Sequence, residues 1–261
     1  MNADDRRRVI EERVMRLGEV SLNGLTAEFG VSEMTIRRDL DLLAGEGVLR
    51  KVMGGAISLV GKSTEPSFRA RASVAAAQKI HLARLAVTLL KPHQTVVLDS
   101  GSTVLAIARE IRGMDLGLTI VTPSLPAAIE LAEEPGTTVI LTGGTLRSGE
   151  LSLIGSDAED AFLRYNCDVY LMGIAGLDGQ RGASDYHRDE GAVKRYAARA
   201  SDTVIAVVDQ SKLGRVQLLN VALPSEIDAV VTDAAPDHPV LQQLAQAGVA
   251  IHCTALPESD R

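Results

Sequence analysis

From Thr95 onward, short apolar runs alternate with stretches of helical period, and this restricts the fold more than any other feature of the chain. The runs fall at residues 95–99, 118–121, 137–141, 167–172, 203–208, 228–231 and 249–253. Helical patterns lie between several of them: one after 100–103 to about Arg112, one capped by Ser124, and others near 156–164, 189–200 and 237–247. Strands interleaved with helices predict an α/β domain on a largely parallel sheet. At 261 residues there is room for that domain and a smaller one before it.

Open α/β sheets bind ligands at the carboxyl ends of their strands. Here those ends are rich in glycine and hydroxyls. Asp99-Ser100-Gly101-Ser102-Thr103 is a strand-to-helix turn whose N–H groups and hydroxyls suit a phosphate. It is too short for a Walker loop and has no Gly-Lys-Ser/Thr. Gly143 and Gly144 permit close backbone approach, and Arg147 can pair with a phosphate or carboxylate. Glu190 and Lys194 are an i, i+4 pair, which on its own reads as a surface salt bridge. Asp209 and Lys212 follow another strand. Together these loops predict a small, polyhydroxylated, phosphorylated ligand. N–H groups, Lys and Arg would take its phosphate, and Asp and Glu its hydroxyls.

The N-terminal part has a different pattern. Residues 5–17 predict a helix with Val9, Ile10, Val14 and Leu17 on its apolar face and Gly18 as its stop. Residues 21–29 predict a second, short helix, although Asn23-Gly24 is an awkward pair inside it. Gly30 closes a tight turn, and Ser32 is a good N-cap for a third helix. Ile36, Leu40 and Leu43 face inward on that helix, whereas Thr35, Arg37 and Arg38 lie off the stripe. Helix, glycine turn and helix make a helix-turn-helix pattern. Two short apolar runs around the Gly54-Gly55 pair predict a hairpin wing that carries Arg50 and Lys51. The candidate DNA-contacting set is Ser32, Met34, Thr35, Arg37, Arg38, Arg50 and Lys51. Arginine is the commonest bidentate reader of guanine.

The stretch Val31-Ser32-Glu33-Met34-Thr35-Ile36-Arg37-Arg38-Asp39-Leu40-Asp41-Leu42-Leu43, followed by Gly54-Gly55-Ala56, resembles the signature of DeoR-type bacterial repressors. The resemblance covers residues 6–57 and departs at Met53, where the family usually has His, and at Asn23-Gly24. Similar motifs continue at Asp99–Thr103, Thr142–Arg147, Gly155, Glu190–Lys194 and Asp209–Gly214. At Thr122-Pro123-Ser124 the family more often has Asn in the middle. The resemblance implies a winged helix-turn-helix joined to a larger α/β sensor domain of ribose-5-phosphate isomerase-like fold. It also implies operator DNA and a phosphorylated sugar or polyol effector as partners, with Thr122 beside the effector. The expected domains are 1–57, a linker over 58–78, the sensor over 79–254 and a tail over 255–261. Within the linker, a basic helical pattern already begins at Phe68 and runs to Leu90.

The formal net charge of −7 is unevenly spread. Residues 92–261 carry 12 Lys/Arg against 23 Asp/Glu, so this part is unsuited to DNA, and the 9 against 10 of residues 1–57 leave binding to local placement of arginines. Cys167, Cys253 and the five scattered histidines have no metal-ligand spacing, so no metal or cofactor is expected. The polar start from Met1 to Arg8 lacks a signal-peptide core, and no apolar run approaches the roughly 18 residues of a membrane span. The expectation is a cytoplasmic homodimer or homotetramer that represses a sugar or polyol operon. Two alternatives are weighed against it. One is a sugar-phosphate isomerase with an appended DNA module, using Asp99, Glu190 and Lys212. The other is an architectural DNA binder without a ligand.

Overall fold

The chain divides after Pro66 into two units. The structure, a computed structural model, describes residues 2–17, 19–46, 48–52, 54–58, 65, 68–73 and 76–254. The expectations placed on Gly18, on Met53, on residues 59–64, 66 and 67 of the linker, and on the 255–261 tail lie outside the described residues.

The first unit contains α1 (Ala3–Leu17), β1 (Glu19–Ser21), α2 (Leu22–Phe29), α3 (Glu33–Gly45), β2 (Leu49–Val52) and β3 (Gly55–Ser58). Its core gathers Ile10, Val14, Leu25, Ile36, Leu40, Leu43 and Leu49. The buried face of α1 differs from the sequence expectation: it runs through Arg6, Ile10 and Val14, while Val9 is only half-buried. A buried arginine requires a partner, and Asp39 on α3 supplies it. Arg6 Nε donates to Asp39 Oδ2 at 2.6 Å, and Arg7 lies 3.5 Å from the other oxygen. The wing also has a strand that the sequence did not announce. β1 joins it, giving the antiparallel order β1-β3-β2. Three residues leading directly into a helix are too few for alternation to register. A Cβ at Gly55 would stand 2.0 Å from the Val20 carbonyl, so only glycine lets β1 and β3 meet. Gly24 is explained too. Its N–H donates to the Ser21 hydroxyl that caps α2, at 3.0 Å, and a Cβ there would crowd that hydroxyl at 2.7 Å.

The second unit contains α4 (Phe68–Ser73), α5 (Ala76–Val87), β4 (Thr95–Leu98), α6 (Ser102–Ile111), β5 (Thr119–Thr122), α7 (Leu125–Leu131), β6 (Thr138–Leu141), β7 (Thr145–Arg147), β8 (Ser152–Ile154), α8 (Ser156–Phe162) and β9 (Cys167–Gly173). There follow β10 (Gly176–Asp178), β11 (Gly182–Asp185), α9 (Arg188–Arg199), β12 (Ser201–Val208), β13 (Leu219–Ala222), β14 (Ala229–Thr232), α10 (Pro239–Gln246) and β15 (Ala250–Cys253). The linker expected over 58–78 is too long: α4 and the start of α5 occupy its second half. Phe68 and Arg71 lie on α4, and α5 ends at Val87, short of the Leu90 expected.

All seven strands anticipated from Thr95 onward join one parallel sheet, ordered β15-β14-β12-β9-β4-β5-β6. Successive residues of β4 enter opposite cores. Val96 and Leu98 pack with Leu82, Ile107 and Leu131 of α5, α6 and α7, and Val97 packs with Phe162, Val193 and Leu244 of α8, α9 and α10. Both faces are therefore covered, which is why the strands read as unbroken apolar runs. The short antiparallel pieces, β7 with β8 and β10-β11-β13, were not foreseen. The chain runs β4, β5, β6 to one edge and returns to place β9 on the other side of β4. The crevice at the carboxyl ends of β4 and β9 is therefore the topological switch point, where such sheets take ligands. Among the described residues, no helix is long and apolar enough to cross a membrane.

Candidate functional site

Two places in the chain carry chemistry. In the first unit, Gly30 adopts the left-handed conformation at φ 62° and ends α2. Three residues later α3 begins, capped by Ser32, whose hydroxyl accepts from the Thr35 N–H at 3.3 Å and meets the Thr35 hydroxyl at 2.9 Å. Met34, Arg37 and Arg38 are exposed on α3, Thr35 is half-buried, and Arg50 and Lys51 are exposed on β2. Arg37 pairs with Glu33 at 2.6 Å, and Lys51 pairs with Asp41. Exposed pairs of this kind are worth at most about 1 kcal/mol, so both cations can exchange partners for a phosphate. Arg38 and Arg50 make no ion pair among the described residues.

In the second unit the switch point holds a buried ionic cluster. Lys194 on α9 donates to Asp99 at 2.5 Å and to the Gly173 carbonyl at 2.8 Å, and lies 3.4 Å from Asp185. Asp99 also accepts from the N–H groups of Gly173 at 2.9 Å and Ser100 at 2.8 Å. Burial alone would lower the Lys194 ammonium, but Asp99, Asp185 and Glu190 outweigh it and hold the group above its usual range. The surface salt bridge expected between Glu190 and Lys194 does not form: both are buried, with separate partners. Glu190 pairs with Arg147 at 2.8 Å and accepts from the Ser152 hydroxyl. Burial pushes the Glu190 carboxyl up, and Lys194, Ser152 and Arg147 together bring it below its usual range.

Around this cluster, Gly101 sits at φ 110° as the N-cap of α6, with no side chain capping the helix. A cap without a side chain leaves the first N–H groups and the helix dipole open to an anion. Ser100, Gly101 and Ser102 are half-buried there, and Thr103 is buried. Cations gather beside it. Lys212 donates to the Ile174 carbonyl at 2.8 Å and lies 3.9 Å from Asp209, whose carboxylate accepts from the Ser211 N–H at 3.0 Å. Lys79 is buried and donates to the Arg71 carbonyl. Burial, with Lys212 and Arg71 against the pull of Asp209, lowers the Lys79 ammonium to about 8. Burial likewise lowers Lys212, with Arg71 and Lys194 opposing Asp209 and Asp185. A low-dielectric pocket of mutually repelling cations stabilises a bound anion. The Arg71 guanidinium lies 3.9 Å from where a Gly101 Cβ would be.

Not every anticipated residue reaches this place. Thr122 is fully buried, and its hydroxyl donates to the Leu98 carbonyl at 2.6 Å and accepts from the Ser124 N–H at 3.0 Å. It ties two strand ends together. Gly144 lets the backbone pass α8, where a Cβ would meet the Ile154 carbonyl at 2.6 Å; Gly143 faces open space. The Gly182-Ala183-Ser184-Asp185 run at a strand end was a legible candidate, whereas Ser152, Arg71, Lys79 and Glu150 were missed. These four are placed by contacts distant in sequence.

Residues 6–61 match the profile of the DeoR-like helix-turn-helix domain, and residues 74–234 that of the DeoR C terminal sensor domain. The HTH-type transcriptional regulator GlpR of Haloferax volcanii is 34% identical over 249 residues, which is 95% of this chain and 96% of the relative. The glycerol-3-phosphate regulon repressor of Escherichia coli K12 is 33% identical over 244 residues, 94% of this chain and 96% of the relative. Among solved structures, ribose 5-phosphate isomerase A of Methanocaldococcus jannaschii superposes on 53% of this chain and 55% of its own, at TM-score 0.41 and 17% identity. With both profiles in chain order and full-length relatives named as regulators, this chain belongs to the DeoR family of helix-turn-helix transcriptional regulators.

Proposed function

We propose that the protein is a cytoplasmic repressor of a carbohydrate operon, controlled by a phosphorylated sugar or polyol bound at the switch point of the second unit. The observation that carries this is the uncapped N-terminus of α6 at Gly101, flanked by Arg71, Lys79 and Lys212. The phosphate sits on the N–H groups of residues 101–103. Asp209, Ser100 and the Arg147–Glu190 pair face the polyol. Asp99 and Lys194, expected as ligand contacts, instead hold the β4 and β9 loops in place. The first unit binds operator DNA, and a homodimer or homotetramer spaces two of these units for paired half-sites. The names of the relatives, one of them a glycerol-3-phosphate regulon repressor, support the ligand class.

The isomerase alternative has less support. Asp99 is buried and bonded to Lys194 and two backbone N–H groups, and Glu190 is bonded to Arg147 and Ser152, so neither is placed as a free base. Assaying turnover of ribose 5-phosphate by the pure protein tests it.

Two substitutions test the repressor reading. Arg38→Ala is expected to weaken operator binding by about 1–3 kcal/mol while leaving the fold intact. Operator affinity equal to wild type would remove Arg38 from the interface. Ser102→Leu is expected to abolish ligand response and retain operator binding. A thermal-shift panel of sugar and polyol phosphates, with their unphosphorylated partners, reads it. A ligand at 100-fold its dissociation constant stabilises by about 2.7 kcal/mol, and the leucine variant should lose that gain. Wild-type shifts from unphosphorylated sugars alone would defeat the phosphate assignment.

A further inference from the structure

We propose that Arg71 couples the ligand site to the chain leading back to the DNA-binding unit, because Glu150 and the ligand's anionic group compete for its guanidinium. The proposal rests on the ligand reading above and adds to it the route by which occupancy is transmitted.

Arg71 lies on α4, the first helix after the division at Pro66. Its side chain nevertheless reaches the ligand site, with Nη1 3.9 Å from where a Gly101 Cβ would stand. Gly101 opens α6 without a capping side chain, so this guanidinium and the α6 N–H groups converge on one small volume. The same guanidinium is ion-paired to Glu150, a buried carboxylate on the turn between β7 and β8. That turn also follows Arg147, the partner of Glu190. The backbone carbonyl of Arg71 accepts from Lys79 on α5. Polar contacts therefore tie α4 to the rest of the second unit through both its backbone and the Arg71 side chain.

A planar guanidinium can serve a carboxylate and a phosphate, but the two lie in different directions and reward different positions of the arginine. An anion on the α6 N-terminus draws Nη1 toward Gly101 and weakens the hold of Glu150. Because Arg71 is part of α4, the exchange shifts the start of the second unit and the chain before it. A ligand biases an equilibrium only by its differential affinity for the two arrangements, and Arg71 supplies that difference. Lys212 and Lys79 also attract the anion, but neither lies on α4.

The test uses the full chain, with inorganic phosphate and glycerol 3-phosphate as probes. Binding is measured by titration calorimetry and by affinity for an operator duplex selected from random DNA by the wild type. Arg71→Gln is expected to lower phosphate affinity about tenfold or more, and Arg71→Lys to retain part of it. Glu150→Gln is expected to raise it, because the competitor loses its charge. In wild type the probes change operator affinity; in Arg71→Gln, measured against its own affinity without probe, that change disappears. A purely structural ion pair would instead lower probe affinity when broken from either side, and equal losses in Arg71→Gln and Glu150→Gln would overturn the proposal. Unaltered probe binding in Arg71→Gln, or an unchanged operator response in it, would do the same. If the probes fail to bind wild type at all, the ligand reading falls first and the proposal with it. Circular dichroism melts confirm that each variant is folded.

Discussion

Replacing Asp39 with alanine is expected to abolish operator binding, although Asp39 is buried and faces the interior of the first unit. Its carboxylate accepts from Arg6 at 2.6 Å and lies 3.5 Å from Arg7, so it fastens α3 to α1. Removing one partner of a buried pair leaves the other charge unpaired, at a cost of about 3–5 kcal/mol. A unit of 66 residues has a total stability of roughly 3–10 kcal/mol at ordinary values per residue. The loss is therefore comparable to the whole, and α3 loses the packing that presents Arg38. Calorimetry should show the first unit's transition weakened or missing while that of the second unit persists. Fluorescence anisotropy with an operator duplex should show no binding. Asp39→Asn, which keeps an acceptor, should fall between the two. The contrast with Arg38→Ala is diagnostic, since that change affects binding and leaves the melting profile alone. An alanine variant that binds operator like wild type would sink the argument.

Asp39 also shows where sequence reading stopped. It stands in the most recognisable stretch of the chain, yet within Ile36-Arg37-Arg38-Asp39-Leu40 it reads as one more polar residue. Its importance comes from Arg6, 33 positions away, which the periodicity of α1 gave no reason to bury. The parallel sheet was legible for the opposite reason. Its five inner strands are covered on both faces, so each shows as a largely apolar run without reference to its neighbours. The hairpin of β7 and β8 has three residues to a strand and was invisible. The Asp99–Thr103 turn was likewise readable from local chemistry, because a helix N-terminus with glycine and hydroxyls is a self-contained motif. The role of Asp99 within it was not readable. A carboxylate at a strand end looks like a ligand contact until Lys194 is found 2.5 Å away, and that distance spans 95 residues of sequence. Lys79 failed in the same way: an amphipathic helix of modest polarity does not reveal which of its lysines faces a pocket.

Lys194→Met should be the most damaging single change in the second unit, and its damage should depend on pH. Methionine keeps most of the volume, so the effect is largely that of the charge. Without the ammonium, Asp99 and Asp185 lose their counter-charge and the Gly173 carbonyl loses a donor, in a place already closed to water. At neutral pH the expected cost is about 3–5 kcal/mol. Burial already pushes the Asp99 carboxyl up, with Lys194 pulling it down, so removing Lys194 raises it further. A carboxyl whose folded value exceeds its unfolded value binds a proton in the folded state that the unfolded chain has released. Stability of the variant then falls as pH rises through that window and recovers on acidification. In wild type the ammonium of Lys194 limits that slope. Lys194 itself is raised, so that contribution is complete below the unfolded lysine value and is lost only in strong alkali. Glu190 is lowered, so that contribution is lost only as acid takes the pH below the ordinary carboxyl range. Wild-type Asp99 is itself raised by burial, so between about pH 5 and 8 wild type slopes in the same direction, but Lys194 restrains that carboxyl and the variant's slope is the steeper. The chain has no tryptophan, so urea unfolding is best followed by far-ultraviolet circular dichroism at both ends of that range. A gap between variant and wild type that narrows toward pH 5 supports the buried-charge account. A gap of equal size at both ends would mean that Lys194 acts by packing rather than by neutralising Asp99.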